Sequence, residues 1–161
     1  TAVKKCLVGG FAYSGQVCIH AQRIYVHKSI FQAFADKFMQ ASKMLKVGDP
    51  LDPETEVSAM IDENNAIRIE NWVNEAIADG AKLLSGGKRN GTYYEPTILT
   101  ETNIQMKVCS LEVFGPVVTL EPFQDFKSVI QVVNNSRYGL QAGVFTNQID
   151  EMNFIALVIA F

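Results

Sequence analysis

Gly9-Gly-Phe-Ala-Tyr-Ser-Gly-Gln-Val-Cys-Ile-His-Ala-Gln-Arg-Ile-Tyr-Val-His27 joins a cysteine-bearing loop to a short alternating run. The alternating part, from Arg23 to His27, has the period of a half-buried β-strand. Ser14 and Gly15 are small, so the backbone can approach a ligand closely just before the thiol of Cys18. A helix that spans or begins near this loop would favour the thiolate through its amide dipoles. The stretch therefore predicts a strand preceded by a loop with a candidate nucleophile.

Downstream of this stretch, β-branched runs alternate with runs of helical periodicity. One helix is predicted with Ser29 as its N-cap and with residues 48–53 as its breaker. A second helix is predicted to open at Asp62 and to close at Gly80. The further elements, in chain order, are a strand at 81–84, a loop at 85–91, a buried strand at 116–121, a helix at 126–133 and a strand at 143–146. This alternation predicts an α/β fold, with a mostly parallel sheet and flanking helices in one domain over residues 1–161.

The composition limits the class of protein. The 161 residues suffice for one ordinary domain, and a hydrophobic fraction of 48% supplies a sizeable core. The net charge is −3 and no basic patch is visible, so no nucleic-acid partner is expected. The uncharged run at 152–161 is far shorter than the roughly 20 apolar residues that span a bilayer, so no membrane partner is expected either. No charged and apolar leader is visible, which favours a cytoplasmic protein.

The cysteines and the chain ends carry further information. Cys6, Cys18 and Cys109 are an odd number without a CxxC pair, so we expect reduced thiols and no metal site, with one thiol free for chemistry. The chain begins at Thr1 without an initiator Met. It stops inside the run at 152–161, which has helical character and no capping residue. We therefore expect a segment that is truncated at both ends.

Two motifs carry a resemblance to a known family. Phe11-x-x-x-Gly15-Gln16-x-Cys18-x-x-x-x-Arg23-x-x-Val26 resembles the catalytic-cysteine signature of the aldehyde dehydrogenase superfamily. Leu111-Glu-Val-Phe-Gly-Pro-Val117 looks like the Glu-x-Phe-Gly-Pro cofactor motif of that family. Three further matches follow the family order, at Gly48-Asp-Pro50, Glu95-Pro-Thr97 and Tyr138-Gly-Leu-Gln-Ala-Gly-Val-Phe-Thr146. The resemblance covers nearly the whole chain and implies an incomplete catalytic domain, without the dinucleotide-binding domain.

The resemblance implies an NAD(P)-dependent oxidation of a small aldehyde to a carboxylic acid. Cys18 would attack the aldehyde as a thiolate, its backbone N–H would donate to the oxyanion, and a thioester would be hydrolysed. Glu112 would accept hydrogen bonds from the nicotinamide-ribose hydroxyls, and Phe114 would pack against the nicotinamide. Val17 and Ile19 would line the aldehyde pocket. NAD or NADP would be bound mainly by the missing domain, in an enzyme that is a homo-oligomer at full length.

The same resemblance implies that this segment alone is inactive. In the family, the general-base glutamate, the oxyanion-hole asparagine and the dinucleotide-binding fold all precede the region that corresponds to residues 1–17. Two positions depart from the family pattern: Leu111 stands where a second acidic residue often occurs, and Ser58-Ala59 stands where Gly-Pro is common. The first departure leaves Glu112 intact, and we assign no function to the second.

The residues by themselves leave other interpretations open. Glu112 could be an exposed carboxylate before a turn, Phe114 could belong to the core, and Gly115-Pro116 could be a turn feeding a strand. A Cys-His hydrolase would pair Cys18 with His20 or His27. A non-catalytic interaction domain that keeps the fold is the remaining alternative. The aldehyde, the choice between NAD and NADP, and the choice between water and coenzyme A as acyl acceptor are not readable from these residues.

Overall fold

The computed structural model of the chain describes residues 1–158. Its α-helices are α1 (Ala2–Phe11), α2 (Phe31–Lys43), α3 (Glu63–Ala78), α4 (Lys107–Ser110), α5 (Phe126–Asn134) and α6 (Ile149–Val158). Its strands are β1 (Arg23–His27), β2 (Lys82–Ser85), β3 (Arg89–Asn90), β4 (Tyr93–Tyr94), β5 (Thr97–Thr100) and β6 (Val117–Phe123). A short 3₁₀ turn, Ala12–Gly15, follows α1. The rest of the helical run predicted at 152–161, beyond Val158, lies outside the described residues.

The main sheet has four strands in the order β1-β6-β5-β2. Strand β6 is central and pairs in parallel with both β1 and β5, whereas β2 runs antiparallel to β5 at the edge. The register places Arg23 opposite Thr119 and Thr97 opposite Val117. Strands β3 and β4 form a separate antiparallel hairpin. The α/β fold with a mostly parallel sheet is therefore confirmed.

Helices cover both faces of this sheet. Because successive side chains of a strand point to opposite faces, β6 contributes to two cores. Val118 and Leu120 pack with Phe38 of α2 and with the end of α1 on one face. Val117 packs with Ile69 of α3 and with α4 on the other face. The central strand is thus buried from both sides, as its apolar sequence predicts.

Most of the predicted elements form, and of the two predicted helix N-caps one is confirmed and one is wrong. The side chain of Asp62 accepts a hydrogen bond from the backbone N–H of Asn65 at 2.7 Å, so the predicted N-cap of α3 is confirmed. The predicted N-cap of α2 is wrong, because the N-cap position is Ile30 and it makes no side-chain cap. The hydroxyl of Ser29 lies 2.8 Å from Nδ1 of His27 instead, which removes it from capping.

Two predictions of secondary structure fail, and one helix was not predicted. Residues 143–146 form no strand, because they are largely exposed and pair with no strand in the part of the chain that the structure describes. The loop predicted at 85–91 contains β3, which pairs with β4 in a hairpin whose two-residue strands are too short to show an alternating pattern in the sequence. Helix α1 was not predicted, because its pair Gly9-Gly10 weakens a helical interpretation; in the fold the helix packs against α2 and β6.

Candidate active site

The cysteine loop and the Glu112 segment enter the sheet at the same edge. The loop precedes β1 and the Glu112 segment precedes β6, and these two strands are parallel neighbours. Cys18 and Phe114 lie at corresponding distances upstream of the paired residues Arg23 and Thr119. The topology therefore brings together two motifs that are almost a hundred residues apart in the chain.

A left-handed turn brings the backbones of these two segments into contact. Tyr13, Ser14 and Gly15 have φ angles of 53°, 57° and 67°, a conformation that side-chain-bearing residues rarely adopt. A Cβ atom at Gly15 would lie 2.1 Å from the carbonyl oxygen of Gly115, so only glycine allows this approach. The Cys18 loop is thus seated directly on the turn that follows Phe114.

Side chains of the cysteine loop also hold the segment at 58–61. The hydroxyl of Ser14 donates to the carbonyl of Ser58 at 3.1 Å and accepts from the N–H of the same residue at 2.8 Å. The amide of Gln16 donates to the carbonyl of Ala59 at 3.2 Å and accepts from the N–H of Ile61 at 2.8 Å. The segment with the Ser58-Ala59 departure, to which the sequence assigned no function, therefore anchors the strained turn. These backbone contacts leave no pattern in the sequence.

Cys18 lies in a tight turn at the surface. The N–H of His20 donates to the carbonyl of Val17 at 3.0 Å and closes the turn around the exposed thiol. No α-helix spans this loop or begins in it, because α1 ends at Phe11 and the next α-helix is α2. Within the described chain, no group accepts a hydrogen bond from the Cys18 N–H, so this donor is unpaired.

The other predicted site residues lie next to Cys18 in the chain or in the segment that precedes Gly115. Val17 is half-buried, and Ile19 is 45% exposed with its carbonyl oxygen 2.9 Å from the side-chain amide of Gln141. Glu112 is exposed, and its carboxylate has no hydrogen-bond or ion-pair partner among residues 1–158. Phe114 is 40% exposed with φ at 51°, so it does not belong to the core. The turn at Gly115-Pro116 feeds β6 directly, as one of the alternative interpretations expected.

Two side chains that the sequence did not point to fix the segment around Glu112. The amide of Gln22 bonds the backbone of Leu111 and of Val113, which flank Glu112. The guanidinium of Arg68 bonds the carbonyl of Val113 from the other side. Gln22 lies in the motif that carries Cys18, but its residue type alone gives no signal, since its partners are main-chain atoms far along the chain.

Neither histidine is placed as a base for Cys18. His20 turns inward, where Nε2 donates to the carbonyl of Gly10 at 2.8 Å and Nδ1 is buried without a partner among the described groups. Burial lowers the pKa of His20 to about 4, so the imidazole is neutral near pH 7. His27 lies at the far end of β1 and bonds Ser29. The geometry therefore does not support the Cys-His hydrolase.

The described residues contain neither a metal-binding cluster nor a membrane-spanning helix. Across residues 1–158, no three or more His, Cys, Asp or Glu side chains converge as a metal-binding group. No helix in that same range is both long and apolar enough to cross a bilayer.

Comparison with known proteins identifies the family of the chain. The family model described as the aldehyde dehydrogenase family matches residues 1–160. The chain belongs to this family. It is 50% identical over 139 residues to the 3-sulfolactaldehyde dehydrogenase of Priestia aryabhattai. The match covers 86% of this chain and 29% of that protein. The chain thus spans less than a third of the length of that curated relative.

Solved structures of the aldehyde dehydrogenase family superpose closely on the chain. Aldehyde dehydrogenase 21 from Physcomitrella patens, in complex with the reaction product succinate, matches with a TM-score of 0.96 and 40% identity. This match covers 98% of the chain and 33% of that structure. Glyceraldehyde-3-phosphate dehydrogenase from Methanocaldococcus jannaschii, complexed with NADP, matches with a TM-score of 0.94 and 36% identity, over 99% of the chain and 34% of that structure. The fold of this family is therefore present across the described chain.

Proposed function

We propose that this chain is the cysteine-bearing catalytic segment of an NAD(P)-dependent aldehyde dehydrogenase, which oxidises a small aldehyde to a carboxylic acid. The observation that carries the proposal is the contact between Gly15 and Gly115, which places the exposed thiol loop beside the exposed Glu112 segment. The family membership of the chain supports it. The relatives named above act on aldehydes by their names, which supports the same substrate class for this chain.

The proposed reaction begins at the Cys18 thiolate. Its sulfur adds to the aldehyde carbon, the carbonyl π electrons move to oxygen, and the unpaired N–H of Cys18 donates to the resulting oxyanion. When bound, NAD or NADP supplies the acceptor for the hydride that leaves the thiohemiacetal carbon. The product at Cys18 is a thioester, which water cleaves to a carboxylic acid and the free thiol. Val17 and Ile19 would contact the aldehyde substituent from either side of the nucleophile.

The described residues fit the nicotinamide end of such a cofactor. The carboxylate of Glu112 is exposed and without a partner, so it is available to accept two hydrogen bonds from ribose hydroxyls. The ring of Phe114 is exposed at the same turn, where it can pack against a planar ring. Orientation of the cofactor beside the thiol is the contribution that this arrangement would make to the rate.

The proposal is tested in the full-length enzyme that carries this chain. Cys18→Ser should abolish aldehyde-dependent reduction of NAD or NADP, and Glu112→Gln should lower the rate of hydride transfer while leaving the thermal midpoint unchanged. Glu54→Gln, at an exposed position whose carboxylate has no hydrogen-bond or ion-pair partner among the described residues, serves as the control and should retain activity. Full activity of the Glu112→Gln variant in single-turnover experiments would contradict its role.

The cellular localisation and the oligomeric state of the enzyme form part of the same proposal. The free cysteines support a reducing cytoplasmic compartment. A homo-oligomeric state of the full-length protein belongs to the same proposal. The alternative of a non-catalytic interaction domain predicts three thiols with equal reactivity and no cofactor binding by the full-length protein. Light scattering of the full-length protein and the kinetic assay above test these expectations.

A further inference from the structure

The segment that carries Glu112 has no secondary structure of its own. Residues 111–116 lie between α4 and β6; the carbonyl of Pro116 accepts from the N–H of Thr97 in β5, whereas residues 111–115 pair with no neighbouring strand. Phe114 lies in this segment with φ at 51°, a strained conformation for a residue with a side chain. Such a strained backbone conformation persists only when contacts with surrounding residues hold it in place. The position of the Glu112 carboxylate therefore depends on groups outside the segment.

Gln22 is the first of these groups. Its Nε2 donates to the carbonyls of Val108 at 2.9 Å and Leu111 at 2.8 Å, and its Oε1 accepts from the N–H of Val113 at 2.9 Å. All the hydrogens of the side-chain amide are thus used on one segment of backbone, with Glu112 lying between two of the bonded residues. Gln22 lies just before β1, in the same motif as Cys18, so it ties the two halves of the proposed site together.

Arg68 is the second group, and it acts from α3 on the other side. Its Nη2 donates to the carbonyl of Val113 at 2.8 Å, so the peptide groups on both sides of Val113 are held. The guanidinium lies over the ring of Trp72, 4.6 Å from the ring centroid, which fixes the direction of the side chain. Ile69, one residue later in α3, packs directly against Gly115. The segment is therefore clamped from β1 and from α3 at once.

We propose that Gln22 and Arg68 are positioning residues that hold the Glu112–Phe114 segment and so set the reach of the Glu112 carboxylate toward the nicotinamide ribose. This inference rests on the proposed function, because that function supplies the ligand of Glu112. Neither side chain needs to touch the cofactor. Their effect is to remove the freedom that an unpaired loop would otherwise lose when the cofactor binds.

The first experiment measures the clamp without any cofactor. In the chain of 161 residues, Gln22→Met removes the acceptor of the Val113 N–H but keeps a side chain of similar length. We expect hydrogen exchange of the Val113 amide to accelerate about tenfold or more, since a lost hydrogen bond of about 1.4 kcal/mol corresponds to a factor of ten. Gln40→Met, at an exposed position of α2, is the matched control and should leave this amide unchanged.

The second experiment measures the consequence in the full-length enzyme. Fluorescence titration with reduced NAD or NADP should give an affinity about tenfold lower for Gln22→Met, and a lower affinity for Arg68→Met, while Gln40→Met binds normally. The rate of Cys18 alkylation by iodoacetamide and the KM for the aldehyde should change less than twofold in both variants. If Gln22→Met does not fold, Arg68→Met reports on the same segment with the bonds of Gln22 intact.

The outcomes separate the two proposals. Unchanged cofactor affinity in a folded variant, with faster exchange at Val113, would overturn the positioning role and leave the proposed function standing. Equal losses in cofactor affinity, aldehyde KM and Cys18 alkylation would overturn it as well, because they indicate general unfolding of the site. Absence of cofactor binding by the unsubstituted full-length enzyme would overturn the proposed function and the inference with it.

Discussion

At the residue scale, burial separates the three thiols of the chain. Desolvation raises the pKa of Cys6 and of Cys109, which lowers their thiolate fractions near neutral pH, whereas Cys18 is exposed. The thiol of Cys109 also donates a hydrogen bond to Thr102 at 3.2 Å. We expect limiting iodoacetamide to modify Cys18 at least about tenfold faster than the other two thiols. Peptide mass spectrometry over a time course measures the three rates, and earlier labelling of Cys109 would contradict the assignment.

A second prediction at this scale concerns the effect of His20 on how the free energy of unfolding depends on pH. Its pKa of about 4 in the folded chain lies below the ordinary value of 6.5, first because burial disfavours the charged ring. The unfolded chain therefore binds more protons than the folded chain between pH 6.5 and 4, so stability falls as the pH is lowered through that window. Between pH 6.5 and 5 the loss from this residue should reach about 2 kcal/mol.

The measurement for His20 is a difference between two proteins. Urea denaturation of the wild-type chain and of His20→Gln at several pH values gives the free energy of unfolding of each. The wild type should lose more stability than the variant on acidification. Subtraction cancels the opposite trend of Glu121, whose pKa is raised by burial. Parallel curves for the two proteins would show that His20 is not held neutral in the folded state.

Individual residues also show how far the sequence predicts the site. Cys18, Glu112 and Phe114 were identified because their motifs have distinctive residue types at fixed spacing, although their roles remain proposals. Gln22 and Arg68 were not, because they act on main-chain atoms of residues 108–113, which any sequence provides. A side chain that bonds to a distant backbone leaves no periodicity and no spacing rule. Such residues become visible only when the topology is known.

At the scale of elements, the left-handed turn before Cys18 is the feature most sensitive to substitution. Gly15→Ala would place a methyl group 2.1 Å from the carbonyl oxygen of Gly115 and force a residue with a side chain to adopt φ at 67°. We expect a loss of at least about 3 kcal/mol in the free energy of unfolding, because a backbone clash adds to the left-handed penalty of about 1–2 kcal/mol. Urea denaturation of the chain measures this loss.

The control for the turn is another glycine in the same backbone conformation. Gly91 has φ at 58°, and a Cβ atom there would meet nothing within 4 Å. Gly91→Ala should therefore cost only the conformational penalty of about 1 kcal/mol. The difference between the two variants isolates the contact between the cysteine loop and the Gly115 turn. Equal losses would show that these backbones are not in close contact.

Elements were predicted correctly where the apolar residues of the local sequence pattern are also the residues that the fold buries. Strand β1 and helix α5 were predicted because apolar residues recur at the period of each element and a recognisable boundary precedes each. The segment at 143–146 has the same kind of pattern, yet it forms no strand, because a strand requires a neighbour for its backbone groups. The sequence pattern indicates the secondary structure that a segment prefers, whereas strand pairing depends on which segment lies beside it in the fold.

At the scale of the whole molecule, the described chain supplies one part of the proposed chemistry. The thiol, the unpaired N–H of Cys18 and the Glu112 carboxylate lie at one edge of the sheet. These groups would contact only the nicotinamide end of a dinucleotide. A contact of that size is too small for tight binding, because association costs several kcal/mol before any affinity appears. The chain also spans only 29% of the Priestia relative.

We therefore predict that the chain of 161 residues has no aldehyde-oxidising turnover by itself. No hydride acceptor would be held near Cys18, and no general base is placed beside the thiol by either histidine, so a thioester would be hydrolysed slowly. The assay mixes purified chain with NAD or NADP and a panel of aldehydes, and follows the absorbance of the reduced cofactor. Selective alkylation of Cys18 in the same sample shows that the loop is folded. Sustained turnover would mean that residues 1–161 complete the active site, with a base and a cofactor site other than those assigned.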